Sequence, residues 1–173
     1  MQLIECTAED HAGEIREILN DAIVHTTAIY DYHPRTPEDM VEWFRAKEEG
    51  EFPVLGAVDE AGDLLGFATY GVFRNWAAYK YSVEHSIHVR TAARGKGIGR
   101  ALMERLIQKA VRQDLHVLVG AIDAGNAVSL ALHRSFGFSD AGTIRHAGFK
   151  FGEWRDLVFM QLILETPTHP VDG

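Results

Sequence analysis

Six consecutive residues, Arg94-Gly95-Lys96-Gly97-Ile98-Gly99, constrain this chain more than any other stretch. Before them lies Ser82–Val89, which reads as a strand. After them come Ile98, Ala101, Leu102, Leu106 and Ala110, apolar positions at helical spacing. The chain must therefore pass from strand to helix through three glycines. Glycine lets a backbone adopt positive φ and lets a ligand approach closely. A helix start adds N–H groups with no carbonyl behind them and the positive end of the helix dipole. Arg94, Lys96 and Arg100 contribute mobile cations. In physical terms the segment reads as a pyrophosphate cradle. It lacks G-x-x-x-x-G-K-[ST], which argues against a P-loop NTPase, and position 100 is Arg, which breaks G-x-G-x-x-G. Nor does the glycine run lie in a first βα turn that would support a dinucleotide fold.

The charge distribution singles out the same place. The chain holds 17 Lys and Arg against 25 Asp and Glu, a net charge of −8. Residues 90–112 contain seven cations and one acid, Glu104, so that window is +6 and the other 150 residues carry −14. An acidic chain is a poor general binder of nucleic acid, whose phosphates demand a surplus of cations. A local basic run suits a discrete anion instead. The single cysteine, Cys6, excludes an internal disulfide framework and a Cys-rich zinc site. His85 and His88 fall on opposite faces of a strand, so no metal site is expected. There is no apolar run of 18 residues, and the N-terminus lacks the features of a signal peptide. The expectation is one soluble, cytoplasmic domain over residues 1–165, with a mobile tail over 166–173.

Local signals give the element order. Residues 2–6 read as a strand. Thr7 and Asp10 resemble a capping box before a helix with Ile15, Ile18, Leu19, Ala22 and Ile23 on one face. Thr36-Pro37-Glu38-Asp39 opens a second helix. Residues 52–58 and 64–70 form a hairpin, 71–81 are irregular and aromatic, and 82–89 form a strand. A helix covers 98–111 and a strand 116–122. Asn126 caps a helix that Gly137 ends. Residues 138–144 and 154–164 are the last two strands. The class is α+β.

Several of these segments resemble a known family. Arg94, Gly97 and Gly99 reproduce the R-x-x-G-x-G signature of GCN5-related N-acetyltransferases, and the helix from Asn126 through His133 to Gly137-Phe138 resembles that family's next element. Residues 82–89 (SVEHSIHV) and 147–156 (AGFKFGEWRD) resemble the phosphinothricin and methionine sulfone/sulfoximine N-acetyltransferase group. So do Asn20-Asp21-Ala22, Thr26-Thr27-Ala28 and Tyr30. The resemblance implies the GNAT fold: a mixed sheet of about seven strands with about four helices, strands 4 and 5 splayed around acetyl-CoA. It implies acetyl-CoA contacts at Ile87, Val89, Arg94, Gly95, Lys96, Gly97, Ile98, Gly99, Arg100, Asn126 and Ser129. It also implies a homodimer, with Lys150 and Trp154 near the site across the interface.

Acetyl transfer to an α-amino group needs a proton acceptor, because that group is largely cationic at neutral pH. Glu84 is the candidate base, a mid-strand carboxylate that shares its face with Ser82, Ser86 and His88. The resemblance points to the same residue. The resemblance places His133 near the thioester sulfur, as the candidate donor to the departing thiolate, and the backbone N–H of Ile87 is the candidate donor to the thioester oxygen. Arg74 suits a substrate carboxylate. Thr27, Tyr30, Phe73, Trp76, Tyr79 and Lys150, with Glu84 itself, complete the expected substrate contacts. Phosphinothricin enzymes carry a second Arg where Trp76 stands, so this chain favours a less charged side chain. Peptide N-terminal acetylation and a non-catalytic acyl-CoA sensor remain open alternatives. No nucleophile for an acyl-enzyme is evident, which leaves direct transfer.

Overall fold

The computed structural model describes residues 1–172, so Gly173, the last residue of the expected tail, lies outside the described residues. The elements are β1 (Gln2–Glu5), α1 (Ala8–His25), α2 (Pro37–Glu49), β2 (Val54–Val58), β3 (Leu64–Val72), β4 (Ser82–Val89), α3 (Ile98–Arg112), β5 (Val117–Asp123), α4 (Ala127–Ser135), β6 (Ser139–Lys150) and β7 (Glu153–Ile163). This is the element order anticipated from the sequence, with two short 3-10 turns added at Ala77–Tyr79 and Thr91–Ala93. The strands form one seven-stranded mixed sheet in the order β1-β2-β3-β4-β5-β7-β6. Among the described residues, no helix is long and apolar enough to cross a membrane.

The residues group into two compact units. The first holds 1–70 and 86–106, the second 71–85 and the described residues from 107 onward. In the first unit, α1 and α2 pack on β2 and β3 through Ile15, Ile18, Leu19, Met40, Phe44, Val54 and Phe67. Both helices begin where their caps dictate. The Thr7 hydroxyl accepts from Asp10 N, but Thr7 N donates to His11 Nδ1, so the box at α1 is not reciprocal. At α2 it is: Asp39 N donates to the Thr36 hydroxyl and Thr36 N donates to Asp39 Oδ2. The strand expected from residue 52 begins at Val54, because Phe52 N still donates to Lys47 O and closes the end of α2.

The connection between α1 and α2 is pinned by one side chain. The Asn20 amide donates to Arg35 O at 3.1 Å and its oxygen accepts from Arg35 N at 2.7 Å. Cys6, just after β1, donates its N–H to Val54 O. Burial pushes the Cys6 thiol up to about 12, so it stays protonated and is no nucleophile at neutral pH.

In the second unit, β5 pairs in parallel with the start of β4, Ser82–His85 opposite Val117–Gly120, and antiparallel with β7. Pairing of β4 with β5 stops there, although β4 runs on to Val89. Strand β6 is longer than its sequence suggests, because register irregularities near Gly142 and between Ile144 and Gly148 disrupt its alternation. After β7, the Thr166 hydroxyl donates to Leu115 O and Val171 N donates to the Tyr81 hydroxyl.

Candidate functional site

The first unit carries the glycine loop. Gly95 and Gly97 have φ of +77° and +82°, and a Cβ at either would meet nothing within 4 Å. The Gly97 carbonyl accepts from Ala101 N and opens α3. Gly99 lies inside the helix, so its first-turn N–H, like that of Ile98, has no helical carbonyl to reach. Arg94, Lys96 and Arg100 are exposed. Arg90, counted in the basic window, is engaged elsewhere: its Nε donates to Leu64 O and its Nη2 meets Glu17 at 3.0 Å and Glu14 at 3.5 Å. The loop's charge therefore rests on the cations from Arg94 onward. Ile87 and Val89 lie half-buried at the end of β4 in the same unit. Thr27 and Tyr30 follow α1 and are half-buried. The cavity there, about 590 Å³, is lined instead by the residues after them, including Asp31, Tyr32, Arg35 and Trp43.

The second unit carries Glu84, Arg74 and their aromatic neighbours. Glu84 alternates with buried Val83 and His85, so its side chain faces outward from the packed side of β4. Desolvation raises its carboxyl above the ordinary glutamate value, and the positive charge of Arg74 opposes the rise. Phe73 and Tyr79 meet edge to face at 5.8 Å, with Trp76 6.4 Å from Tyr79. Trp76 is 69% exposed, too much for a core residue. Lys150 is only 4% exposed and its Nζ lies 5.1 Å from the Phe151 ring.

With Glu84 as the base expected from the sequence, which must work as the carboxylate, Arg74 should matter to the pH profile. Replacing it with Gln removes the charge that favours ionised Glu84. The acid limb of kcat/KM, which reports the free enzyme, should then move to higher pH. Titration of kcat/KM in both proteins checks this, and an unmoved limb refutes the coupling.

Asn126 caps α4, its side-chain oxygen accepting from Ser129 N at 3.0 Å. One turn on, His133 is 5% exposed. Its Nδ1 lies 2.7 Å from Ser129 O, and its Nε2 lies 3.0 Å from Nε2 of His85, itself 6% exposed. Both nitrogens of His133 are thus engaged, and a neutral ring in this arrangement has no spare N–H for a thiolate. Burial, with the His133 ring adjacent, pushes His85 down to about 3; burial also lowers His133. His85 is the residue that sequence reasoning missed. The signal was present, since alternation places this histidine on the apolar face with Val83 and Ile87.

A model of the acetyltransferase (GNAT) family matches residues 14–138. The chain belongs to this family. It is a GNAT acetyltransferase, and the glycine loop and α4 lie within the matched span. It is 46% identical over 151 residues to the L-methionine sulfoximine/L-methionine sulfone acetyltransferase of Pseudomonas paraeruginosa, covering 87% of this chain and 88% of the relative. A solved structure from Acinetobacter baylyi superposes with a TM-score of 0.98 at 53% identity, covering 99% of this chain and 97% of that one. A GNAT phosphinothricin acetyltransferase from Sinorhizobium meliloti, solved in complex with acetyl-CoA, superposes with a TM-score of 0.93 at 34% identity, covering 98% and 91%. The curated relatives act on small amino-acid-like substrates, as their names state.

Proposed function

We propose that this acetyltransferase transfers the acetyl group of acetyl-CoA directly to the α-amino group of a small amino-acid-like substrate. The substrate class is that of methionine sulfone, methionine sulfoximine or phosphinothricin. The observation that carries this reading is the 46% identity, over 87% of the chain, to an L-methionine sulfoximine/L-methionine sulfone acetyltransferase. Beside it stands Glu84, an outward mid-strand carboxylate whose ionised form the charge of Arg74 favours. An α-amino acid presents the complementary pair, an ammonium for the base and a carboxylate for the guanidinium.

The glycine loop suits a CoA pyrophosphate. Its two left-handed glycines leave the backbone bare, and exposed cations flank it. Arg94, Lys96 and Arg100 would hold the phosphates together with N–H groups of residues 95–99. When bound, acetyl-CoA supplies the activated thioester. Glu84 takes a proton from the substrate ammonium, directly or through a water, and frees the nitrogen lone pair for attack. The Ile87 N–H donates to the carbonyl oxygen as negative charge develops there. The C–N bond forms, the C–S bond breaks, and the thiolate leaves with the electron pair and takes a proton from the medium. Asn126 and Ser129 hold the pantetheine arm, with His133 behind them.

Arg74 grips the substrate carboxylate, while Phe73, Trp76 and Tyr79 face the side chain. With an aromatic ring at position 76, the sulfone and sulfoximine should be preferred over the charged phosphinate. The test is a CoA-release assay across methionine sulfone, methionine sulfoximine, phosphinothricin, ordinary amino acids and short peptides. Turnover should be highest with the sulfone or sulfoximine. Turnover confined to peptides, or acetyl-CoA binding with no turnover on any amine, refutes the proposal.

A further inference from the structure

The two buried imidazoles of the second unit form a pair whose protons can be assigned from their partners. Ser129 O is a backbone carbonyl and can only accept. The 2.7 Å contact therefore places a hydrogen on His133 Nδ1. A neutral His133 then has a lone pair at Nε2. Across the 3.0 Å contact the hydrogen must belong to Nε2 of His85, which is the donor. His85 Nδ1 is left as a buried lone pair with no hydrogen bond of good geometry, a less costly orphan than an N–H, although the backbone of Val119 favours the protonated ring.

The surroundings are shaped for this pair. Phe138 packs on both rings, 5.2 Å from His85 and 5.0 Å from His133. Gly120 of β5 lies beneath them. A Cβ there would stand 2.9 Å from His133 Nε2 and 3.1 Å from His85 Cε1, so only glycine leaves room for the contact. The pair thus fastens α4, which begins with Asn126 and holds Ser129, to β4 one residue beyond Glu84.

We propose that His85 is a positioning residue of the transfer site: its Nε2–H donates to the lone pair of His133, which Ser129 O holds in the Nδ1–H tautomer, and so ties α4 to strand β4. His85 touches neither substrate nor cofactor and acts through His133. The kinetic part of this proposal rests on the acetyl-transfer reading above; the tautomer assignment does not.

The experiment is ¹⁵N NMR of the histidine rings in the intact protein at neutral pH, joined to steady-state kinetics of His85→Gln and His85→Leu. In the wild type, His133 should show a protonated Nδ1 and an unprotonated Nε2, and His85 the reverse. His85→Gln retains an N–H donor and should preserve the His133 signature, with kcat/KM for acetyl-CoA within about threefold of wild type. His85→Leu removes the donor; Ser129 O still holds the His133 Nδ1 hydrogen, so the tautomer should persist, while the tie between α4 and β4 is lost and kcat/KM should fall about tenfold. Overturning results are a wild-type His133 protonated at Nε2 alone, or a folded His85→Leu with unchanged kcat/KM. If the protein proves inactive on every amine tested, the NMR assignment still decides the tautomer while the function reading fails separately.

Discussion

Glu84→Gln should lose about 10²–10⁴-fold in kcat while binding acetyl-CoA nearly as well as the wild type. Glutamine preserves the size and much of the polarity of the side chain but cannot take a proton. Glu84 alternates outward from β4, so its replacement leaves buried Val83 and His85 in place. The loss should be greatest near neutral pH, where the substrate amine is still cationic. As the pH approaches the amine's own pKa, more substrate arrives already neutral, and the gap to wild type should narrow. Calorimetric titration of acetyl-CoA and a kcat profile across pH test both parts. Full activity in the variant would refute the base assignment, and loss of acetyl-CoA binding would show that Glu84 serves the cofactor instead.

The second large effect concerns stability in acid. Burial pushes His85 down to about 3 and, with Arg35 and Arg94 nearby, His88 to about 4. In the unfolded chain both return to about 6.5. A histidine whose folded value is depressed binds protons preferentially when unfolded. Its stabilising contribution is therefore complete above about pH 6.5 and is lost as the pH falls through that value. By about pH 4.5 each of these residues should have removed between 2 and 3 kcal/mol, or about 5 kcal/mol together. For a chain of this length that corresponds to a fall in Tm of roughly 10–20 °C. His88→Phe keeps a ring against Phe67, which lies 5.4 Å from His88, and removes one titrating group. It should flatten the acid side of the stability curve by about half. Thermal melts between about pH 4.5 and 7.5 test this, and a Tm unchanged over that range would refute it.

What the sequence revealed and what it hid follow from the range of the forces involved. Thr36, Asn126 and Gly137 were legible because a cap or a left-handed residue acts within four positions of itself. The glycine loop was legible for the same reason. The destination of Arg90 was not, since its carboxylate partners Glu14 and Glu17 lie more than 70 residues away in the chain. Nor was the partner of His85, 48 residues away, because only tertiary packing brings α4 beneath β4. Phe52 misled in the other direction, since its β propensity is overruled by the turn that closes α2. The burial of Lys150 was not legible either: an expected substrate contact, it is 4% exposed at the end of β6.

The open space around Gly95 and Gly97 says what kind of constraint those positions impose. A methyl group would collide with nothing at either one. Within the protein itself the demand is on handedness, because left-handed φ penalises an L side chain whatever room surrounds it. Gly120 is the opposite case, a glycine required by volume. Mirror-image chemistry separates the two. D-alanine, whose preferred backbone angles are those of Gly95 and Gly97, is at home in the loop and would cost the cradle nothing in conformational energy. For the same reason, asparagine, the L residue most tolerant of this region, is the substitution through which the loop could drift in evolution at least cost.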